Sequence, residues 1–146
     1  MSVNRTVVFV LLALTGVLLL PGTAQAPEIS ISIERRAQLT SDGSITFKVH
    51  VSCELPGTPD VREGLAGAGQ PRTGAAAEGG LSPTVICDGV ERVYTAGISV
   101  ITEELFRRGP AIAHTTVFAC NTVGEEQICV QESARRRVIV SKRQGS

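Results

Sequence analysis

Few residues in this chain have the chemistry of a catalyst. Only two histidines are present, His50 and His114. His50 lies in "SITFKVHVSC" beside Lys48 and Ser52, on the polar side of an alternating stretch, and no G-x-S-x-G nucleophile motif accompanies it. His114 lies in "FRRGPAIAHTTVFAC" with no partner at matching spacing, and reads as a strand histidine facing solvent or bonded to backbone. The carboxylate pairs Glu103–Glu104 and Glu125–Glu126 are adjacent in sequence, so on a strand they would point to opposite faces. Both fall in expected loops and read as solvated turn charges. The glycine run "GLAGAGQ" has neither the lysine nor the following helix of a phosphate-binding loop. No catalytic, cofactor-binding or metal site is expected from these residues, and the chain does not read as an enzyme.

Cysteine chemistry is more informative. Cys53, Cys87, Cys120 and Cys129 form an even set, and in an oxidising compartment an even set reads as two disulfides. Their spacings are not those of a zinc site. Three pairings are open. Cys53–Cys87 with Cys120–Cys129 is favoured, because the second pair brackets "NTVGEEQI", where Gly124 marks a hairpin. On the chain-entropy estimate the two loops would contribute about 4 and about 3 kcal/mol.

The remaining concentration of chemistry is basic. "ARRRVIVSKR" gathers Arg135, Arg136, Arg137, Lys142 and Arg143. These residues suit an anionic surface such as cell-wall polymer or lipid headgroups. The plainer reading is a basic edge strand that resists edge-to-edge aggregation.

The elements that must position these residues are strands, because the apolar period is two nearly throughout. In "SITFKVHVSC", Ile45, Phe47, Val49, Val51 and Cys53 share one face, which makes a half-buried strand with its cysteine toward the core. "ISISIERRAQL" precedes it as one or two strands, with Ser41–Gly43 as the turn. "VREGLAGAGQ" is a weak strand at best, and "PRTGAAAEGG" reads as a mobile Gly/Ala loop. "PTVICDG" and "VERVYTAGISV" read as strands. "ITEELFRRGP" has room for a short helical turn, "PAIAHTTVFAC" is a strand, and "QICVQES" and "RRRVIVS" are two strands with a polar bend between them. On Ala111–Cys120 the small set (Ala111, Ala113, Thr115, Val117, Ala119) and the larger set (Ile112, His114, Thr116, Phe118, Cys120) both claim the inner face; a bulge would reconcile them. About seven short strands without an organising helix predict an antiparallel two-sheet β-sandwich.

The first residues carry an address. Arg5 precedes the uncharged run Val7–Leu20, about 14 residues and short of the roughly 20 that span a bilayer. Pro21, Gly22 and small residues follow, the layout of a secretory signal peptide. Cleavage after Ala24 avoids leaving Pro27 at the new N-terminus; cleavage after Ala26 is the alternative. The expected organisation is a signal peptide over 1–24, a β-domain over 27–141 and a polar tail over 142–146, secreted, with no transmembrane anchor once the signal is cut. The full chain holds 14 Lys+Arg against 14 Asp+Glu, so bulk charge does not select nucleic acid.

The succession "ITFKVHVSC", "LAGAGQ", "VICDG", "FRRGPAIA" and a closing cysteine pair resembles small secreted actinobacterial domains of uncharacterised function. Its most specific pieces are Cys87–Gly89 and Phe106–Ala113. The resemblance implies an immunoglobulin-like sandwich over most of the chain and no defined activity. Tyr94 stands where such domains often carry tryptophan. The leading expectation is a secreted, non-catalytic binding or structural module whose partner is cell-wall polymer or another surface protein. The alternatives are a small-molecule carrier with a cleft between its sheets, and an enzyme or enzyme inhibitor.

Overall fold

The structure is a computed structural model that describes residues 26–142. The expected signal peptide with its cleavage after Ala24, and Arg143 with the rest of the tail, lie outside these residues. Seven strands follow in order: β1 (Glu28–Leu39), β2 (Ile45–Glu54), β3 (Thr58–Gln70), β4 (Ala75–Ser82), β5 (Arg92–Val100), β6 (Gly109–Val123) and β7 (Glu126–Lys142).

The all-β class agrees with the sequence, but the sandwich does not: the strands close into one barrel, β1-β2-β5-β4-β3-β6-β7. All neighbours are antiparallel except at the seam, where Arg36–Leu39 of β1 pairs in parallel with Ile139–Lys142 of β7. A period of two shows that one face of a sheet is hidden. It does not show whether a second sheet or the far wall of the same sheet hides it. Closure depends on a register shift: Ile33 faces Val49 and Ala37 faces Phe47, so Glu34, Arg35 and Arg36 stand opposite Lys48 alone. The bulge bends β1 away from β2 and toward β7.

The interior is packed by unequal halves. Ile33, Ile45, Phe47, Val49, Val51 and Tyr94, from β1, β2 and β5, are buried against Ala66, Ala68, Ala75, Ala77, Ala111 and Ala113, from β3, β4 and β6. Small side chains on one wall leave room for large ones on the other, the condition for filling a narrow barrel. Tyr94 is only 1% exposed, and its hydroxyl accepts a hydrogen bond from the Ile86 amide at 3.0 Å. It therefore fills the core.

Five local expectations change accordingly. The Gly/Ala segment is a turn followed by β4, not a mobile loop, and "VREGLAGAGQ" lies within a 13-residue strand. Gly79 lies so close to β5 that a Cβ there would collide with the Gly97 carbonyl, which explains glycine in an ordered strand. Residues 83–90 hold only one bridge, Glu54 with Asp88; their order comes from the Cys53–Cys87 disulfide and buried Val85. Residues 101–108 are bends rather than a helical turn, and the last two expected strands are the single 17-residue β7.

The inner face of β6 is the small set: Ala111, Ala113, Thr115, Val117 and Ala119 are buried, and His114 is exposed. The irregularity that accommodates Cys120 is on the partner strand, between Pro59 and Val61 of β3. Cys120 faces Cys129 directly across the β6–β7 hairpin and is joined to it. Two disulfides fit an oxidising compartment. Among the described residues no helix is long and apolar enough to cross a membrane.

Candidate functional site: the basic end of the barrel

Each strand runs opposite to the one before it in sequence, which brings every second connection to the same end. One end collects the β1–β2 and β3–β4 turns, the β5–β6 loop and the C-terminus of β7. The other collects the start of β1 and the β2–β3, β4–β5 and β6–β7 connections. Charge is sorted between them.

At the first end lie Arg72 in the β3–β4 turn, Arg107 and Arg108 in the β5–β6 loop, Arg35 and Arg36 in the β1 bulge, and Arg137 and Lys142 on β7. All are exposed. The acids there are fewer: Glu103, Glu104 and Asp42. Asp42 is engaged inside its own turn by the Thr40 hydroxyl and the Ser44 amide, which hold its carboxyl below the usual range.

At the opposite end Glu28, Glu54 and Asp60 are joined by Asp88, Glu91, Glu125 and Glu126, with Glu63 and Glu132 on the nearby wall. The arginines there are already engaged. Arg62 donates to the carbonyls of Val61 (2.6 Å) and Cys120 (2.7 Å) and to the Asn121 side chain. Arg92 donates to Asp88 (2.7 Å), and this contact is the chief reason the Asp88 carboxyl is held down at about 2.

The basic end is held in shape by Gln70, which is 3% exposed. Its side-chain amide donates to the Arg107 carbonyl at 2.8 Å and its side-chain oxygen accepts from the Arg107 amide at 2.8 Å. The same amide reaches the Pro110 carbonyl at 3.3 Å. One buried glutamine therefore ties the loop carrying Arg107 and Arg108 to the turn carrying Arg72. Phe106, 3% exposed, plugs the barrel beneath that loop, and its amide donates to Gly43.

Shallow recesses adjoin these cations. One of about 250 Å3 is lined by Gln70, Arg72, Thr73, Arg107, Arg108 and Pro110. A second of about 320 Å3 shares Arg72 and Pro110 and adds Pro71, Ala111, Ile112 and Arg137. A third of about 580 Å3, across the seam, is lined by Arg35, Arg36, Gln38, Ile139, Ser141 and Lys142.

The basic residues expected from "ARRRVIVSKR" do not form one patch. Strand alternation sends Arg135 and Arg137 outward and Arg136 inward, where it donates to the Ile33 carbonyl at 2.7 Å. Arg135 pairs across the sheet with His114, away from the rim. Arg137 and Lys142 join the basic end, and Arg143 lies outside the described residues. β7 pairs with β6 along its length, and with β1 only over Ile139–Lys142, at the seam. Missed in the sequence were Arg35, Arg36, Arg72, Arg107 and Arg108. The signal available was the pair of Arg-Arg doublets in "ERRAQ" and "FRRGP", which alternating strand direction brings to one end.

Neither histidine lies among the rim cations, although His114 lines a recess shared with Gln70 and with Pro71 of the β3–β4 turn. His50 stands between Glu34 (3.1 Å) and Glu91 (3.4 Å). His114 lies over Gly67, where a Cβ would strike its ring, beside a recess of about 470 Å3 that Gly69, Ala76, Glu78, Ile112 and Arg135 help to line. Among the described residues no group of three or more His, Cys, Asp or Glu side chains could hold a metal ion.

No protein-family model matches the chain, and no curated protein is similar to it. The barrel also removes the sandwich fold that the resemblance to secreted actinobacterial domains implied.

Proposed function

We propose that this protein is a secreted, non-catalytic binding module that docks by its basic end onto a polyanionic extracellular surface, of the kind offered by anionic cell-wall polymer or an acidic surface protein. The observation that carries this reading is the sorting of charge. Exposed arginines crowd one rim while carboxylates crowd the other, although the chain as a whole is balanced at 14 of each sign. Such a molecule is oriented by the field of the surface it approaches, which raises the rate of productive encounter. The Gln70 clamp holds the Arg107 loop in place before contact, which lowers the ordering cost of binding.

The test is retention on beads bearing a phosphate polymer at low salt. The intact protein is expected to bind, and the combined change Arg72→Gln, Arg107→Gln, Arg108→Gln to abolish retention. The control Glu125→Gln, Glu126→Gln should bind at least as well as wild type. Equal retention of both variants would refute docking by this end.

A carrier role has one observation in its favour, the recess over Gly69 and Ala76 beside His114. It lies outside the barrel wall, because the expected cleft between two sheets has no counterpart in a filled interior.

A further inference from the structure

The two ends of the barrel differ in charge, and both leave aliphatic side chains in water. At the basic end Ile101 is 59% and Leu105 51% exposed; at the acidic end Val90 is 53% and Val123 41% exposed. From these two features we infer that the ends are complementary to each other, and that a second copy of this chain docks head to tail, its basic end on the acidic end of the first.

The partner follows from the chemistry. A surface that fits the basic end presents carboxylates around exposed aliphatic groups, as Asp60, Glu91, Glu125 and Glu126 do around Val90 and Val123 at the other end of this same chain. The overall balance of 14 cations and 14 anions means that two copies do not repel at long range, so the local attraction between unlike ends is not opposed. An end-to-end two-fold arrangement is disfavoured, because it would set arginine against arginine or glutamate against glutamate. The contact is therefore heterologous. It uses different surfaces on the two partners and leaves one free end of each kind, so that growth continues beyond a dimer. A copy seated on a polyanion by its basic end would present its acidic end outward to the next copy. The inference shares the charge sorting with the proposed function but does not require that any polyanion bind.

The experiment is sedimentation velocity on the protein with both disulfides intact, over a concentration series, at low salt and at 1 M salt, where the screening length is only about 3 Å. The weight-average mass should rise with concentration past the dimer at low salt and return to the monomer at high salt. Two variants in exposed loops locate the contact. Arg107→Glu, Arg108→Glu cancels the positive excess of the basic end, and Glu125→Arg, Glu126→Arg weakens the acidic end. Each alone should associate at least about 10-fold more weakly than wild type, and an equimolar mixture should recover association.

A wild type that stays monomeric at every concentration, a closed dimer indifferent to salt, or variants that associate as wild type does would each overturn the inference. So would a mixture that recovers nothing. Bead binding separates the two ideas. Glu125→Arg, Glu126→Arg should still bind the phosphate polymer, so loss of self-association with retained bead binding is distinct from failure of the docking reading itself.

Discussion

The guanidinium of Arg136 donates to the carbonyl of Ile33 at 2.7 Å, from the last strand to the first. Ile33 is the last residue paired with β2 before the β1 bulge, and the parallel seam with β7 begins at Arg36. The side chain of one strand thus serves the backbone of the other just where the ladder changes partner.

Arg136→Met keeps much of the side-chain volume and removes the donor. It is expected to lower unfolding stability by about 1–3 kcal/mol, the cost of leaving a partly buried carbonyl unpaired. Urea unfolding measures this, with hydrogen exchange at the seam amides as the local readout. Unchanged stability and exchange would remove Arg136 from the account of closure.

Gln70 predicts an effect on binding without any change of charge. Gln70→Leu deletes the paired hydrogen bonds to Arg107, with an expected loss of about 1–3 kcal/mol in stability. Because Arg107 and Arg108 are then held less firmly, binding to the phosphate polymer should weaken several-fold at an unchanged number of cations. Isothermal titration on folded variant checks the second effect, and Thr73→Ala, in the same recess, provides a milder comparison.

How far the sequence foretold this molecule depends on which physical signal each element carries. The alternation of Ile45, Phe47, Val49, Val51 and Cys53 named the buried face of β2, because burial of one face is what a period of two records. The favoured cysteine pairing is the one the structure forms. Closure was not legible, since it rests on four parallel residue pairs between the two ends of the chain and on a bulge in a charged stretch. β4 was hidden because Ala and Gly have low strand propensity in isolation; here β4 is held between β3 and β5, with Ala75 and Ala77 in the same core as Phe47 and Tyr94. The arginine run was visible, but its division between the two faces of β7 followed only once that run was known to be one continuous strand. The basic end itself depends on topology, which gathers Arg36, Arg72 and Arg108 from distant parts of the sequence.

The two disulfides should separate under mild reduction. Each disulfide has one buried member, Cys53 at 0% and Cys120 at 2%, but the other member is exposed in Cys129 and only half-buried in Cys87. A thiol reagent must reach a sulfur to attack it, so Cys120–Cys129 should open first while Cys53–Cys87 persists. Alkylation and mass mapping during a reductant titration would show the order. Simultaneous opening, or Cys53–Cys87 opening first, would contradict the burial argument.

Asp88 sets an acid-side dependence. Its carboxyl is depressed from 3.8 to about 2, first by hydrogen bonds from Arg92. A depressed carboxylate contributes stability above its unfolded pKa, and that contribution is lost as pH falls through the folded value. The loss should therefore run from near pH 4 down to about pH 2. Comparing thermal unfolding of wild type and Asp88→Asn across this range should show the two curves converging as the pH falls. A constant difference would mean that the ion pair does not contribute.

Docking by the basic end is tested most directly by the salt dependence of binding to a soluble phosphate polymer. Each arginine that contacts phosphate releases counterions, so its removal reduces the slope of log K against log salt by about 1. Arg72→Gln, Arg107→Gln and Arg108→Gln should each lower the slope, whereas Arg92→Gln, at the acidic end, should leave it unchanged. A slope that is flat in the wild type, or that falls as much with Arg92→Gln as with the rim arginines, would contradict it.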